Sequence, residues 1–186
     1  MLFRSLVDQL FAAPPNGLGL TYARYNIGGG DCPTCKSLSV GTAVPGYEPT
    51  AGTYDWTVDG NQRWVAQRAY QDGAVYFEAQ SNSPPWWMTI SGSSTGGVGG
   101  ADNLSSTYQG TDANSFPSYL VNVVQHFDND FGVTFREVDN RWKISQGFSK
   151  LKKDLLNEIK AIIKDNFFCE DHVVIKIGRA SCRERV

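Results

Sequence analysis

The 186-residue chain has no stretch near the about 18 uninterrupted apolar residues of a membrane span, and Asp8 and Gln9 break its apolar N-terminal run. No membrane segment and no signal peptide is therefore predicted, and a membrane partner is not expected. Neither Gly28-Gly29-Gly30 nor the Gly- and Ser-rich run 91–100 contains Gly-Lys-Ser/Thr or a Gly-x-Gly-x-x-Gly turn opening a helix. That argues against a nucleotide cradle and leaves backbone room for a bulky ligand, or plain flexibility, as the reading. Basic residues are scarce where most of the chain lies: residues 1–139 hold 6 Lys+Arg against 13 Asp+Glu. An acidic surface of this kind repels phosphate backbones, so no nucleic-acid partner is expected. With 4 cysteines and 2 histidines, few soft ligands are available for a metal. Cys32-Pro-Thr-Cys35 lies in a loop rather than at a helix start, which favours a local disulfide or free thiols over a redox or zinc pair. No cofactor and no metal is called for.

Proline and glycine are abundant up to residue 139 and then nearly vanish. All 8 prolines and 17 of the 19 glycines precede residue 140, and residues 140–186 reverse the charge balance with 11 Lys+Arg against 6 Asp+Glu. Such a break marks a domain boundary, a basic tail or a joined sequence.

Before the break, hydrophobic spacing and turn signals alternate regularly. Leu2, Phe3, Leu6, Val7, Leu10 and Phe11 recur at helical spacing, and Pro14-Pro15-Asn16-Gly17 stops that helix before an extended run 18–27. A second helix is predicted over 58–70, with Val58, Val65 and Ala69 inward. Asp72-Gly73 ends it before a strand over 74–79. Ser115 caps a third helix through Phe116, Leu120, Val123, Val124 and Phe127, and Gly132 separates it from a strand over 133–138. His126 lies beside that stripe and reads as a structural histidine. Three helix-to-strand units in a row imply an α/β fold with a parallel sheet. A β-sandwich carbohydrate-binding module, which also displays Trp and Tyr, is hard to reconcile with three helical patterns. After residue 140, Leu151, Leu155, Leu156, Ile159, Ile162, Ile163 and Phe167 mark one Lys-rich amphipathic helix, read as solvated on its polar face, with no following strand of similar style.

Chemistry is expected in the long loops after the strands. The strand 74–79 runs into Ser81-Asn-Ser-Pro-Pro-Trp-Trp-Met88, where two prolines fix the backbone and present Trp86 and Trp87. An indole face suits the apolar face of a sugar ring, although either ring can instead close the core. Arg24 and Asn26, near the end of the first strand, read either as hydrogen-bonding partners for hydroxyls or as buried polar groups satisfied within the fold. Asn103-Leu-Ser105 fits the glycosylation sequon and hints at secretion.

Leu20-Thr-Tyr-Ala-Arg-Tyr-Asn-Ile-Gly-Gly29, Gly46-Tyr-Glu-Pro-Thr-Ala-Gly-Thr-Tyr-Asp-Trp56, Asn61-Gln-Arg-Trp64 and 81–88 together resemble endo-β-1,6-galactanases of glycoside hydrolase family 30. The resemblance runs from residue 4 to Asp139. It implies an incomplete (β/α)8 TIM barrel containing strands 2 to 4, from a secreted, monomeric parent that cleaves β-1,6-galactan side chains of arabinogalactan-type polysaccharides. By the same resemblance Arg24 and Trp86 line the subsite of the cleaved galactose, with Asn26 and Trp87 as neighbours. The family's retaining mechanism uses two carboxyl groups roughly 5 to 5.5 Å apart. After Val138-Asp139 the family continues Pro-Phe-Asn-Glu-Pro, but this chain reads Asn140-Arg-Trp-Lys-Ile144, with Lys143 at the acid/base position. The family's nucleophile falls beyond the matching region, so no catalytic residue is assigned. Glu137 and Asp139 read instead as inward carboxylates paired with Arg136 or Arg24. The predicted organisation is a partial hydrolase barrel over 1–139, an unrelated basic helical segment over 140–176, and a tail over 177–186. The tail Ile177-Gly-Arg-Ala-Ser-Cys-Arg-Glu-Arg-Val186 is similar to the translation of a sequencing adapter. An inactive hydrolase fragment is the leading expectation, and a non-catalytic galactan-binding protein is the alternative.

Overall fold

In the computed structural model, residues 2–34, 43–94, 103–110, 112–140 and 174–177 are described. Helix α1, Leu2–Phe11, is followed by strand β1, Tyr22–Asn26. The turn between them folds back on the helix end, with Leu18 N–H on the Gln9 carbonyl at 2.8 Å and Leu20 N–H on the Leu10 carbonyl at 3.0 Å. Only part of the expected α1 stripe is covered: Val7 is buried and Phe11 packs on the core, but Leu6 and Leu10 remain exposed. Arg68 of helix α2, Gly60–Asp72, ties the two helices through Asp8 at 2.6 Å and also meets Asp72 at 3.1 Å.

Helix α2 stops as the sequence predicts. Gly73 takes φ 117°, and its N–H reaches the Ala69 and Tyr70 carbonyls. Its buried residues are Ala66 and Ala69, so Ala66 takes the inward place expected of Val65. Strand β2, Tyr76–Ser81, follows, and helix α3, Phe116–His126, is capped by the Ser115 hydroxyl accepting from Ser118 N–H at 3.3 Å. Phe127–Phe131 form a π-helical turn that Gly132 ends at φ 67°. That turn delays the next strand. Val133 N–H bonds the Phe127 carbonyl at 3.0 Å and the Thr134 hydroxyl bonds Asp128, so the chain is still held by the helix end and β3 spans Glu137–Asn140 rather than starting at Val133.

The sheet is parallel with order β1-β2-β3-β4, where β4 is Val174–Ile177. No strand of similar style is expected after the helix predicted beyond residue 140, and β4 is a short strand of four residues. The predicted helix over 151–167 lies outside the described residues. Register pairs Arg24 with Glu78 and Glu78 with Glu137. Because side chains alternate along a strand, Tyr25, Ile27, Phe77, Ala79 and Val138 fall on one face, where they form the core with Tyr119, Leu120, Val123, Val124 and Phe127. Tyr22, Arg24, Asn26, Tyr76, Glu78, Gln80 and Glu137 occupy the opposite, polar face. Helices covering one face of a parallel sheet are incompatible with a β-sandwich.

His126 is structural, stacking on Trp56 at 3.8 Å with Nδ1 2.8 Å from Asp130. Cys32 is disulfide-bonded, and Cys35 lies outside the described residues. Asn103 is buried: its amide donates to the Ser91 hydroxyl and Ser93 carbonyl and accepts from Ser91 N–H. A glycan on Asn103 is therefore incompatible with this fold, which removes the sequon as an argument for secretion.

Candidate functional site

The loops after β1 and β2 meet beyond the C-terminal ends of the strands, held there by close backbone packing. A Cβ at Gly28 would run into the Val44 and Pro45 carbonyls, and one at Gly29 would strike the Pro84 carbonyl. The glycine triplet is thus neither ligand room nor a flexible hinge, because three chain segments touch there. Tyr119 of α3 fastens the same junction. Its buried hydroxyl donates to the Gly28 carbonyl at 2.6 Å and accepts from Tyr47 N–H at 3.2 Å.

Pro84 and Pro85 are buried and lead into one 3-10 turn, Trp86–Met88. Trp86 N–H bonds the Gly29 carbonyl at 2.9 Å, while its own carbonyl accepts the Thr89 hydroxyl at 2.7 Å. The two indoles differ in what they have left to offer. Trp87 donates Nε1–H to the Glu48 carbonyl at 2.8 Å and sets its ring edge-on to Tyr108 at 5.1 Å, so its donor is already used. Trp86 is half-buried beside Gly30, and among the described residues its indole N–H has no hydrogen-bond partner.

Arg24 and Asn26 share the polar face of β1. The Arg24 guanidinium lies 2.9 Å from Glu78 Oε2 and 3.4 Å from the Tyr22 hydroxyl, which also donates to Glu78. Tyr22 and Tyr76 stack at 5.5 Å, and Tyr76 donates to Glu137 at 2.7 Å. Among the described side chains Glu78 meets Arg24, and the Asp139 side chain lies outside them. Desolvation and the hydrogen bond to Glu78 push the Tyr22 hydroxyl pKa up, while the Glu137 hydrogen bond pushes Tyr76 up to about 12. Both phenols stay neutral donors near pH 7.

Asn26 is gripped by Gln62, whose Oε1 accepts Asn26 N–H at 3.1 Å while its Nε2 donates to the Asn26 carbonyl at 3.0 Å and to Asp59 at 2.6 Å. Asp59 also accepts the Tyr25 hydroxyl, which is 2.7 Å from that of Tyr47. Asn26 Oδ1 is buried without a partner among the described residues. Lys143 lies outside them. Glu48, Glu78, Gln62 and Tyr119 are site residues that were not singled out from the sequence. Glu78, a lone carboxylate between Phe77 and Ala79, was the one with a readable signal.

A family model described as O-glycosyl hydrolase family 30 matches residues 2–167. The chain is 31% identical over 139 residues to an endo-β-1,6-galactanase of Hypocrea rufa, covering 66% of this chain and 28% of that protein. It is 27% identical over 151 residues to an exo-β-1,6-galactobiohydrolase of Bifidobacterium longum subsp. longum, covering 61% of this chain and 10% of that one. Among solved structures, a conserved exported protein from Bacteroides fragilis superposes with TM-score 0.68 at 23% identity, over 88% of this chain and 36% of its own. The catalytic domain of GH30 xylanase C from Talaromyces cellulolyticus superposes with TM-score 0.56 at 22% identity, over 86% and 38%. These structures share the α/β fold, of which the chain carries a partial parallel sheet.

Proposed function

Since the chain belongs to O-glycosyl hydrolase family 30, we propose that it is part of a retaining glycoside hydrolase acting on β-1,6-galactan side chains of arabinogalactan-type polysaccharides. The whole protein would be secreted and monomeric, and β1, β2 and β3 would be the second to fourth strands of a (β/α)8 barrel. The observation that carries this reading is the Trp86 platform, seated on Gly29 beyond the strand ends with its indole N–H uncommitted among the described residues. Such a ring stacks on the apolar face of a galactose while its N–H donates to a hydroxyl. Arg24, aimed by Glu78, supplies further donors on the polar face of the sheet.

The chain as it stands binds but does not hydrolyse. Retaining cleavage needs a carboxylic acid to protonate the leaving oxygen, and the lysine at position 143 cannot replace it. Reducing-end release from β-1,6-galactan should stay at background, and clear turnover would overturn the assignment. Binding of β-1,6-galacto-oligosaccharide, measured by calorimetry, should weaken about tenfold on Trp86→Ala. Unchanged binding in that variant, or none in the parent chain, would remove the platform and with it the non-catalytic galactan-binding alternative.

The same reading treats residues 140–176 as a segment of separate origin and 177–186 as translated adapter. The family match reaches residue 167, past the proposed join, and β4 straddles both segments. Long-read resequencing across the codons for Asp139 and Asn140 decides the matter: continuation into Pro-Phe-Asn-Glu-Pro supports the join, and the present sequence in a transcript refutes it.

A further inference from the structure

The loop that follows β1 contains a carboxyl group whose burial the sugar-binding reading leaves unexplained. Glu48 is 2% exposed. Its Oε1 accepts Gly52 N–H at 2.7 Å, and its Oε2 is buried without a hydrogen-bond partner among the described residues. The side chain closes a short turn that Thr53 N–H on the Thr50 carbonyl at 3.0 Å and Asp55 N–H on the Tyr47 carbonyl at 2.8 Å complete. The carbonyl of the same residue takes the Trp87 indole N–H. A single residue thus closes the β1 loop with its side chain and holds the tryptophan turn with its backbone.

We infer that Glu48 is a positioning residue for the tryptophan pair, its carboxyl locking the 47–55 loop in the shape that holds Trp87 and thereby seats Trp86 over the site. The inference rests on the carbohydrate reading of Trp86 for its functional meaning, but not for its test. The titratable groups facing the carboxyl are Tyr54, from the loop, and Tyr119, from α3; no Lys, Arg or His pairs with it among the described residues. Desolvation therefore dominates and raises its pKa above the ordinary carboxylate value, against the lowering effects of hydrogen bonds from the Gly52 N–H and the Tyr54 hydroxyl. The sign follows from the neutral form being favoured in the folded state. The lock is strongest below the unfolded-state pKa and weakens as pH rises through the folded value, when burial penalises the anion.

Tryptophan near-ultraviolet circular dichroism and thermal midpoint, followed without sugar from about pH 4 to about pH 8, test this in the full chain. The wild type should lose tryptophan signal and on the order of 5 °C of midpoint as pH rises. Glu48→Gln, which copies the neutral acid, should hold the low-pH signal throughout. Trp87→Phe, which removes the indole donor but keeps the carboxyl, should abolish most of the spectral change. An identical pH profile in Glu48→Gln, or a full-amplitude change in Trp87→Phe, would overturn the inference. Because no sugar is present, these outcomes are separate from a failure of galactan binding.

Discussion

Tyr119 joins three parts of the molecule through one oxygen atom: it rises from α3, donates to the Gly28 carbonyl at the end of β1 and accepts from Tyr47 N–H across the loop. Burial is the main cause pushing its pKa far up, so the phenol is neutral wherever the chain folds. Tyr119→Phe would leave a buried carbonyl and a buried N–H unsatisfied, and should cost about 1 to 3 kcal/mol in denaturant unfolding. A loss within experimental error would mean that water replaces the hydroxyl. At this scale the sequence was legible where covalent stiffness and ring size speak for themselves, as in Pro84-Pro85-Trp86. It was not legible for Glu48, because a loop glutamate is normally solvated and only the folded loop takes this one out of water. Nor did turn chemistry separate Trp86 from Trp87, which only the family resemblance told apart. What separates them is the Glu48 carbonyl, which arrives 39 positions away along the chain.

Helix stops at Gly73 and Gly132 and the cap at Ser115 were readable because each is a local backbone demand met by one residue type. The late start of β3 was not, since the apolar run from Val133 suits a strand and only the π-helical turn holds its first residues to the helix. The loop after β1 is the element on which the site depends. Gly29→Ala would push a methyl group into the Pro84 carbonyl and separate the two loops. Galacto-oligosaccharide affinity should fall at least tenfold while far-ultraviolet circular dichroism stays near wild type, because strands and helices do not need that contact. Retained affinity would show that the platform tolerates a shifted loop.

Among the described residues of the whole molecule, some sheet and helix surface is left uncovered. Leu6 and Leu10 on α1, with Leu18 and Leu20 after it and Val75 and Ile90 elsewhere, are exposed, and among the described residues β1 pairs only with β2. An open strand edge beside apolar side chains invites strand addition. Size-exclusion chromatography across a concentration series should show self-association, and a monomer with a cooperative melt would contradict this. The parallel α/β class was legible from the alternation of helix and strand patterns, but the strand at Val174–Ile177 was not, because its pairing partner is set by the sheet and not by its own sequence. The Gln62 amide has one more effect on the β1 edge. Asn26 turns its N–H and carbonyl away from β2, and Gln62 meets both, much as the backbone of a neighbouring strand would. Any strand joining that edge must stop zipping two residues early, at Arg24. One glutamine side chain therefore closes the last outward-facing pair of β1 hydrogen-bonding groups to strand addition.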